Sequence, residues 1–249
     1  MAAVTPRLGR SFLRLFAVQG SWNYDRMIGL GVGVAEEPLL RDLVHGDGDA
    51  AYRAAVGRGA GFFNSHPYLA GLAVGATARA EHEGVPPEQI ERLRAALCGP
   101  LGSLGDRLVW AGWLPLVSAL AIVAAALGAG WLAVAAFLVV YNVGHIALRW
   151  WALRAGWEHG ARVAAALHAP GLQRAARLIA PAMAFAAGLA LPAGGAALSA
   201  HVPSWSYVDL VIAALAGGTL LWWRRSVLDG ARLGFVAAVV ALLAGVVLW

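Results

Sequence analysis

The chain has 249 residues, of which 60% are hydrophobic and only 13% are charged. This composition excludes an ordinary soluble globular domain and is typical of an integral membrane protein. The net charge is +5, but the arginines are scattered at the ends of apolar runs, so we expect contact with the lipid bilayer and no nucleic-acid partner. The single cysteine, Cys98, excludes an intrachain disulfide.

The first part of the chain is too polar to cross a bilayer. Residues 8–20 combine apolar side chains with arginines at helical spacing, which predicts a short amphipathic helix at a membrane surface. The segment from Gln19 to Arg26 breaks this pattern with a glycine, aromatic residues and hydrogen-bonding side chains. Residues 27–44 are apolar but, with Glu36 and Glu37, too short and too charged to span. We interpret the run from His45 to Asp49 as a solvated turn rather than a metal site.

The segment from Phe62 to Ala78 has no acidic residue and no arginine, but Asn64-Ser65-His66-Pro67 interrupts its beginning. Asn64 or Ser65 can end one helix, and His66-Pro67 can begin the next, since proline suits the first turn. Irregular backbone at membrane depth is tolerated where protein or water covers it. We therefore predict a re-entrant hairpin here.

A carboxylate follows the next predicted helix. Residues 86–97 predict a short amphipathic helix that Gly99-Pro100 ends. The glycine-rich stretch from Gly99 to Gly105 then predicts a loop that brings Asp106 to the entrance of the first membrane span. Asp106 could cap that span. Alternatively, with the aromatic face of Trp110 nearby, it could bind a hydroxyl-rich ligand such as a sugar.

The remainder of the chain predicts about five transmembrane helices. They are Leu108–Leu127, Gly128–Leu148, Leu178–Ala200, Trp205–Trp223 and Leu233–Trp249. Arginines lie in the connections after the second span, Arg149 and Arg154 among them, and after the fourth, and they are missing from the other two connections. We therefore expect a cytoplasmic N-terminus and an external C-terminus. The fold class is thus an all-α integral membrane protein. A cytoplasm-facing amphipathic and re-entrant region, residues 1–106, precedes a transmembrane region, residues 107–249.

Polar side chains at membrane depth are functional candidates because each must offset its desolvation. They are Asn64, His66, Asp106, Asn142, His145 and Asp209. Asn142 and His145 lie three residues apart and share a helix face, and a hydrogen bond between helices is their simpler role.

No motif predicts catalysis by this chain alone. Glu158 and His159, with His145 or His168, come nearest to a metal site, but His-Glu-x-x-His and Gly-x-Ser-x-Gly do not occur. We expect no catalytic residue, no metal and no cofactor.

Four motifs occur in order along the chain. They are Phe16-x-x-Gln19-Gly20-Ser21-Trp22-Asn23-Tyr24, Phe62-Phe63-Asn64-Ser65-His66-Pro67, Gly99-Pro100-Leu101-x-x-x-Gly105-Asp106-x-x-x-Trp110, and Tyr141-Asn142. In order and spacing they resemble the IID component of mannose/fructose/sorbose-class phosphotransferase system (PTS) sugar permeases.

The resemblance implies a multi-pass subunit of the bacterial inner membrane that pairs with a IIC membrane subunit and translocates a hexose-type sugar. The resemblance also implies that cytoplasmic IIA and IIB phosphocarrier proteins phosphorylate the sugar as it is released. The complex is expected to be a trimer of IIC–IID pairs. The phosphocarrier histidines belong to IIA and IIB, so this chain is expected to be non-catalytic alone.

The candidate residues for the substrate pathway or for packing are those that match the motifs or lie beside them. They are Gln19, Asn23, Asn64, His66, Asp106, Trp110 and Asn142. Two positions depart from the family pattern: Arg107 stands where proline is common, and Cys98 where methionine is common. Arg107 could pair with Asp106 and reduce its availability. A non-transporting regulatory or assembly subunit derived from IID is the alternative function.

Overall fold

The computed structural model describes residues 7–43 and 49–199 of the chain. Two compact units divide at Ala190, and the described residues belong almost entirely to the first, Met1–Ala190. Most of the predicted turn from His45 to Asp49 and both of the last two predicted spans lie outside the described residues.

Four short helices precede the long ones: α1 (Leu8–Leu15), α2 (Gly29–Leu40), α3 (Asp49–Gly59) and α4 (Ala70–His82). The predicted amphipathic helix is present as α1, although it ends at Leu15 and turns follow it. The predicted start of a helix at His66-Pro67 is wrong by about one turn. The His66 carbonyl accepts hydrogen bonds from the Leu69 and Ala70 amides, and α4 proper begins at Ala70.

Helix α4 forms the centre of the core. Its residues from Ala70 to Ala78 are all buried, and its surroundings include the fully buried side chains of Phe63 and Leu153. A β-type pairing joins Met27 to Phe63 and so ties the turn before α2 to the turn before α4. Whether this region is re-entrant in a bilayer stays a prediction.

The loop predicted between Gly99 and Gly105 is wrong. Helix α5 (Pro87–Gly105) contains Pro100 in its interior and continues without a break through a π-helical segment, Asp106–Trp113, into α6 (Leu114–Ala124) and a second π-helical segment, Ala125–Ala129. Proline removes one helical hydrogen bond, but buried Leu97, Leu101 and Leu104 hold both sides of Pro100 against the core. Tertiary packing therefore outweighs the local breaker signal.

A tight turn with positive φ at Gly128 and Gly130 leads into α7 (Trp131–His159). A short helix, α8 (Ala164–Leu167), follows, and then α9 (Pro170–Ser199). Arg149 and Arg154 lie inside α7, so their predicted place in a loop is wrong.

Among the described residues, three helices are long and apolar enough to cross a membrane: Pro87–Ala129, Trp131–Arg162 and Pro170–Leu191. Large apolar side chains on them point outward, including Leu127 at 83% exposure and Phe185 at 71%. Such faces are stable in lipid, where they cost nothing to leave uncovered by protein. The described residues thus confirm an all-helical membrane fold.

Candidate functional site

Tyr68, in the turn before α4, lies at the centre of a cluster of aromatic and polar side chains. Its hydroxyl lies 2.7 Å from the Tyr141 hydroxyl on α7. Its ring stacks on His145 at 5.0 Å between centroids, and the Arg149 guanidinium lies 4.5 Å from its centroid. The turn from the second motif and the helix from the fourth motif therefore meet here.

His66 lies on the other side of Tyr68 and is only 2% exposed. Its Nδ1 accepts a hydrogen bond of 3.2 Å from the Tyr68 amide. An accepting Nδ1 requires a neutral imidazole with its proton on Nε2. Within the described residues Nε2–H has no hydrogen-bond partner, so the ring presents a buried donor that is not used.

The third motif packs directly against this histidine. A side chain on Gly105 would collide with the His66 ring, so this glycine provides close approach rather than a turn. The Trp110 ring lies 5.0 Å from the His66 ring and 5.9 Å from that of Tyr68, and it remains 43% exposed. The sequence analysis named both His66 and Trp110 as candidate residues, and the structure brings their rings together.

Asp106 begins the π-helical segment one residue after Gly105, and its side chain is exposed. It makes no capping hydrogen bond, so the predicted capping role is wrong: the helix does not begin there. The pair that Arg107 could form with Asp106 does not occur among the described residues, where Arg107 Nε donates to the Ser103 carbonyl. The carboxylate of Asp106 is therefore available.

Asn142 extends the cluster along α7. Its Oδ1 lies 3.0 Å from His145 Nε2, and its Nδ2 donates to the Leu138 carbonyl. Both bonds are within one helix, so the predicted bond between helices is wrong for the residues described. The shared face predicted for Asn142 and His145 is confirmed.

The other three candidates lie apart from the cluster or use their side chains locally. Asn23 binds the Ser21 carbonyl and accepts from the Arg26 amide, which closes its own turn. Gln19 and Asn64 are exposed, and neither side chain makes a hydrogen bond within the described part of the chain. Asn64 nevertheless lies beside the Met27–Phe63 pairing, next to the Asn23 turn.

A cavity of about 210 Å³ opens beside Tyr68. Its lining comes from four elements and is almost wholly apolar, with Tyr68, Trp113 and His145 as the residues that carry polar atoms. The π-helical segment contributes Leu108 and Val109 to the same wall, so it shapes this cavity.

Comparison with known proteins places the chain in a family. Residues 5–187 match the family model described as "PTS system mannose/fructose/sorbose family IID component". The chain belongs to this family.

Among its relatives is the mannose-specific EIID component of Escherichia coli K12, 28% identical over 168 residues, which cover 66% of this chain and 59% of the relative. The sorbose-specific EIID component of Klebsiella pneumoniae is 30% identical over 168 residues, which cover 66% of this chain and 60% of the relative. The chain thus aligns with about three fifths of the length of these relatives.

Solved structures share the fold. One, described as a membrane protein, superposes with a TM-score of 0.69 at 22% identity and covers 96% of this chain and 95% of its own. Another, the mannose transporter ManYZ in complex with microcin E492, has a TM-score of 0.59 at 21% identity, with coverage of 98% and 97%.

A buried ionic group in this IID chain was not predicted. Glu36 on α2 and Arg94 on α5 are 2% and 4% exposed, and Glu36 Oε2 lies 3.5 Å from Arg94 Nη1. Burial raises the pKa of Glu36 from 4.5 to about 7, although Arg94 and the hydrogen bond with Thr77 oppose this. Charged residues interrupting an apolar run were the only sequence signal, and they did not show that the carboxylate faces inward.

The Thr77 hydroxyl indicates the protonation state of Glu36. It lies 2.6 Å from Glu36 Oε1 and 2.8 Å from the Ala73 carbonyl oxygen. A hydroxyl has one proton and donates to one of these acceptors. When Glu36 is charged, Thr77 donates to it and cannot also donate to Ala73. When Glu36 is protonated, which its raised pKa favours below about pH 7, it can donate to Thr77, which then donates to Ala73.

Proposed function

We propose that this chain is the IID membrane subunit of a mannose-class PTS permease. With a IIC subunit, it translocates a hexose-type sugar whose phosphorylation by IIA and IIB is coupled to transport. Family membership over residues 5–187 carries this proposal. The phosphate-carrying histidines would belong to IIA and IIB, and the chain would be non-catalytic alone.

The cluster at Tyr68 supports a role on the sugar pathway. Trp110 offers an exposed aromatic face, Asp106 a free carboxylate and His66 an unused donor, all beside a helix that crosses the membrane. Carboxylate and imidazole groups exchange hydrogen bonds with sugar hydroxyls, and an aromatic ring packs on the apolar face of a sugar. We propose Asp106, His66, Trp110, Asn64 and Asn142 as pathway residues. For Gln19 and Asn23 we propose packing roles near the N-terminal turn.

We also propose the partners and the orientation. A trimer of IIC–IID pairs would cover the exposed apolar surface near α1, including Leu13 and Tyr24. Arginines gather where α7 ends and α9 begins, at Arg162, Arg174 and Arg177, whereas the turn at Gly128 to Gly130 has no charged residue nearby. The positive-inside rule then places the arginine end and the N-terminus in the cytoplasm, with the C-terminus outside.

Asp106→Asn tests this function at its leading residue. Carboxylate bonds to a ligand contribute about 1.5–3 kcal/mol, so we expect phosphoenolpyruvate-dependent sugar uptake by a reconstituted IIC–IID complex to fall about tenfold or more. The complex should still assemble, because the Asp106 side chain is exposed and makes no hydrogen bond among the described residues.

Glu88→Gln is the matched control, since Glu88 is an exposed carboxylate on the same helix, in the first turn of α5. It should leave uptake unchanged. Undiminished uptake by Asp106→Asn would remove this carboxylate from the pathway. An assembled wild-type complex that takes up no sugar would instead favour the regulatory or assembly subunit.

A further inference from the structure

Arg149 is a buried cation that neither the motifs nor the proposed pathway uses. It lies on α7 and is 5% exposed, and no carboxylate in the described ranges forms an ion pair with it. A buried guanidinium is costly unless other groups compensate its charge. The groups around Arg149 therefore show how its charge is compensated.

Two carbonyl groups from distant parts of the chain receive its hydrogen bonds. Arg149 Nη1 donates to the carbonyl of Leu15, the last residue of α1, and to the Pro67 carbonyl at 3.2 Å. One Nη1 carries two protons, so each bond has its own. The Leu15 carbonyl, which also accepts a hydrogen bond of 3.4 Å from the Val18 amide, lies at the C-terminus of α1, where a cation is favoured.

An aromatic ring reinforces each bond. The guanidinium lies 5.3 Å from the ring centroid of Phe16 and 4.5 Å from that of Tyr68. Phe16 and Tyr68 each follow the residue whose carbonyl accepts the bond. At each of the two places, the guanidinium contacts a carbonyl oxygen and the aromatic ring of the next residue in the chain.

The contact of Arg149 with the Pro67 carbonyl lies next to His66. The amide of Tyr68, between the clamped carbonyl and the clamped ring, donates to His66 Nδ1. That bond places the imidazole proton on Nε2. Arg149 thus contacts the groups on both sides of the amide that bonds to His66.

We propose that Arg149 is a positioning residue that clamps the end of α1 and the turn at Pro67 to α7, and so holds His66 with its proton on Nε2. Arginine is required because a lysine ammonium cannot stack between two rings while it donates to two carbonyls on separate elements. The clamp itself is independent of transport, whereas its importance for sugar uptake rests on the proposed function.

Solid-state ¹⁵N NMR of the full-length, histidine-labelled chain in lipid bilayers tests the clamp. The His66 signal is the one lost in His66→Gln. In the wild type we expect the neutral form with the proton on Nε2. In Arg149→Lys we expect the ratio of the Nε2–H form to the Nδ1–H form to fall by about two- to tenfold, the factor expected from loss of one ordinary hydrogen bond.

Arg154→Lys is the matched control. Arg154 lies on the same helix but is exposed and pairs with Glu158, so its replacement should leave the His66 signal unchanged. An unchanged His66 signal in Arg149→Lys would overturn the proposal, even if the variant lost thermal stability.

If Arg149→Lys does not accumulate in membranes, Phe16→Leu replaces it. Because Phe16 is 45% exposed, we expect Phe16→Leu to fold, and removal of one ring face should shift the same ratio by a smaller factor. No shift in Phe16→Leu would overturn the clamp. The NMR signal needs neither IIC nor sugar, so this test and the test of transport can fail separately.

Discussion

Glu36 and Glu37 are neighbours on α2, yet the pKa values of their carboxyl groups move in opposite directions. Burial raises the pKa of Glu36 to about 7. Burial on its own would also raise the pKa of Glu37, but hydrogen bonds from Arg41, Tyr52 and Arg14 lower it to about 2. Adjacent residues on a helix face different surroundings, so the sequence alone could not separate these two carboxylates.

The raised pKa of Glu36 predicts how stability depends on pH. The folded chain holds this proton more tightly than the unfolded chain, so the stabilisation is full below pH 4.5 and is lost as pH rises to about 7. Burial lowers the pKa of His66 to about 4, which makes stability rise with pH over part of the same window, so the contribution of Glu36 is read from a comparison of two chains. Relative to Glu36→Gln, whose amide can donate to Thr77 at every pH, the wild type should lose roughly 1–3 kcal/mol of unfolding free energy between pH 4.5 and 7. Thermal unfolding in detergent, followed from pH 4.5 to 8, measures both.

Glu37→Gln is the control for this prediction. It should lower stability, because Glu37 loses its charge towards three partners, but it should keep the slope between pH 4.5 and 7. The same pH dependence in the wild type and in Glu36→Gln would contradict the raised pKa of Glu36.

At the scale of elements, the contact between α4 and α7 depends on glycine. Gly71 and Gly75 on α4 are four residues apart, the spacing that lets membrane helices approach closely. A methyl group on Gly75 would come within 2.5 Å of the Leu153 carbonyl oxygen, and one on Gly71 within 2.9 Å of the Leu153 amide nitrogen. Both contacts are with backbone, which cannot rotate away.

Gly75→Ala should therefore separate α4 from α7. We expect a loss of about 1–3 kcal/mol or more, as for other overpacked cores, measured as a lower melting temperature of the detergent-solubilised chain. Gly99→Ala on α5 is the matched control, since a methyl group there would touch nothing within 4 Å and alanine favours helix. Equal melting temperatures for the two variants would show that α4 and α7 are not closely packed.

The glycines of the third motif show what sequence reasoning could and could not provide. Their spacing predicted that this segment matters and that Asp106, with Trp110 nearby, is a candidate. The structure packs Gly105 and Trp110 of this motif against His66 of the second motif. The predicted loop was wrong because glycine permits both a turn and a close helix contact. Which of the two forms depends on packing from distant parts of the chain. Arg149 was assigned to a loop for the same reason, since its partners are 82 and 134 residues away.

At the scale of the whole molecule, the apolar composition predicted a helical membrane protein, and the described residues confirm this with three helices of spanning length. The order of the four motifs predicted the family, which the match over residues 5–187 confirms. Distances between motifs could not be predicted, because a pattern along the chain does not specify which helices touch. Tyr68, the residue after the second motif, meets Tyr141 of the fourth motif through their hydroxyls, 73 residues apart.

The central claim is that this chain is needed for a sugar to cross the membrane. It is tested most directly by phosphoenolpyruvate-dependent uptake of a panel of labelled hexoses and amino sugars, in bacterial cells that lack a mannose-class permease and express IIA, IIB and IIC with or without this chain. The account predicts uptake of at least one sugar with the chain and background uptake without it. Equal uptake in the two strains would contradict it.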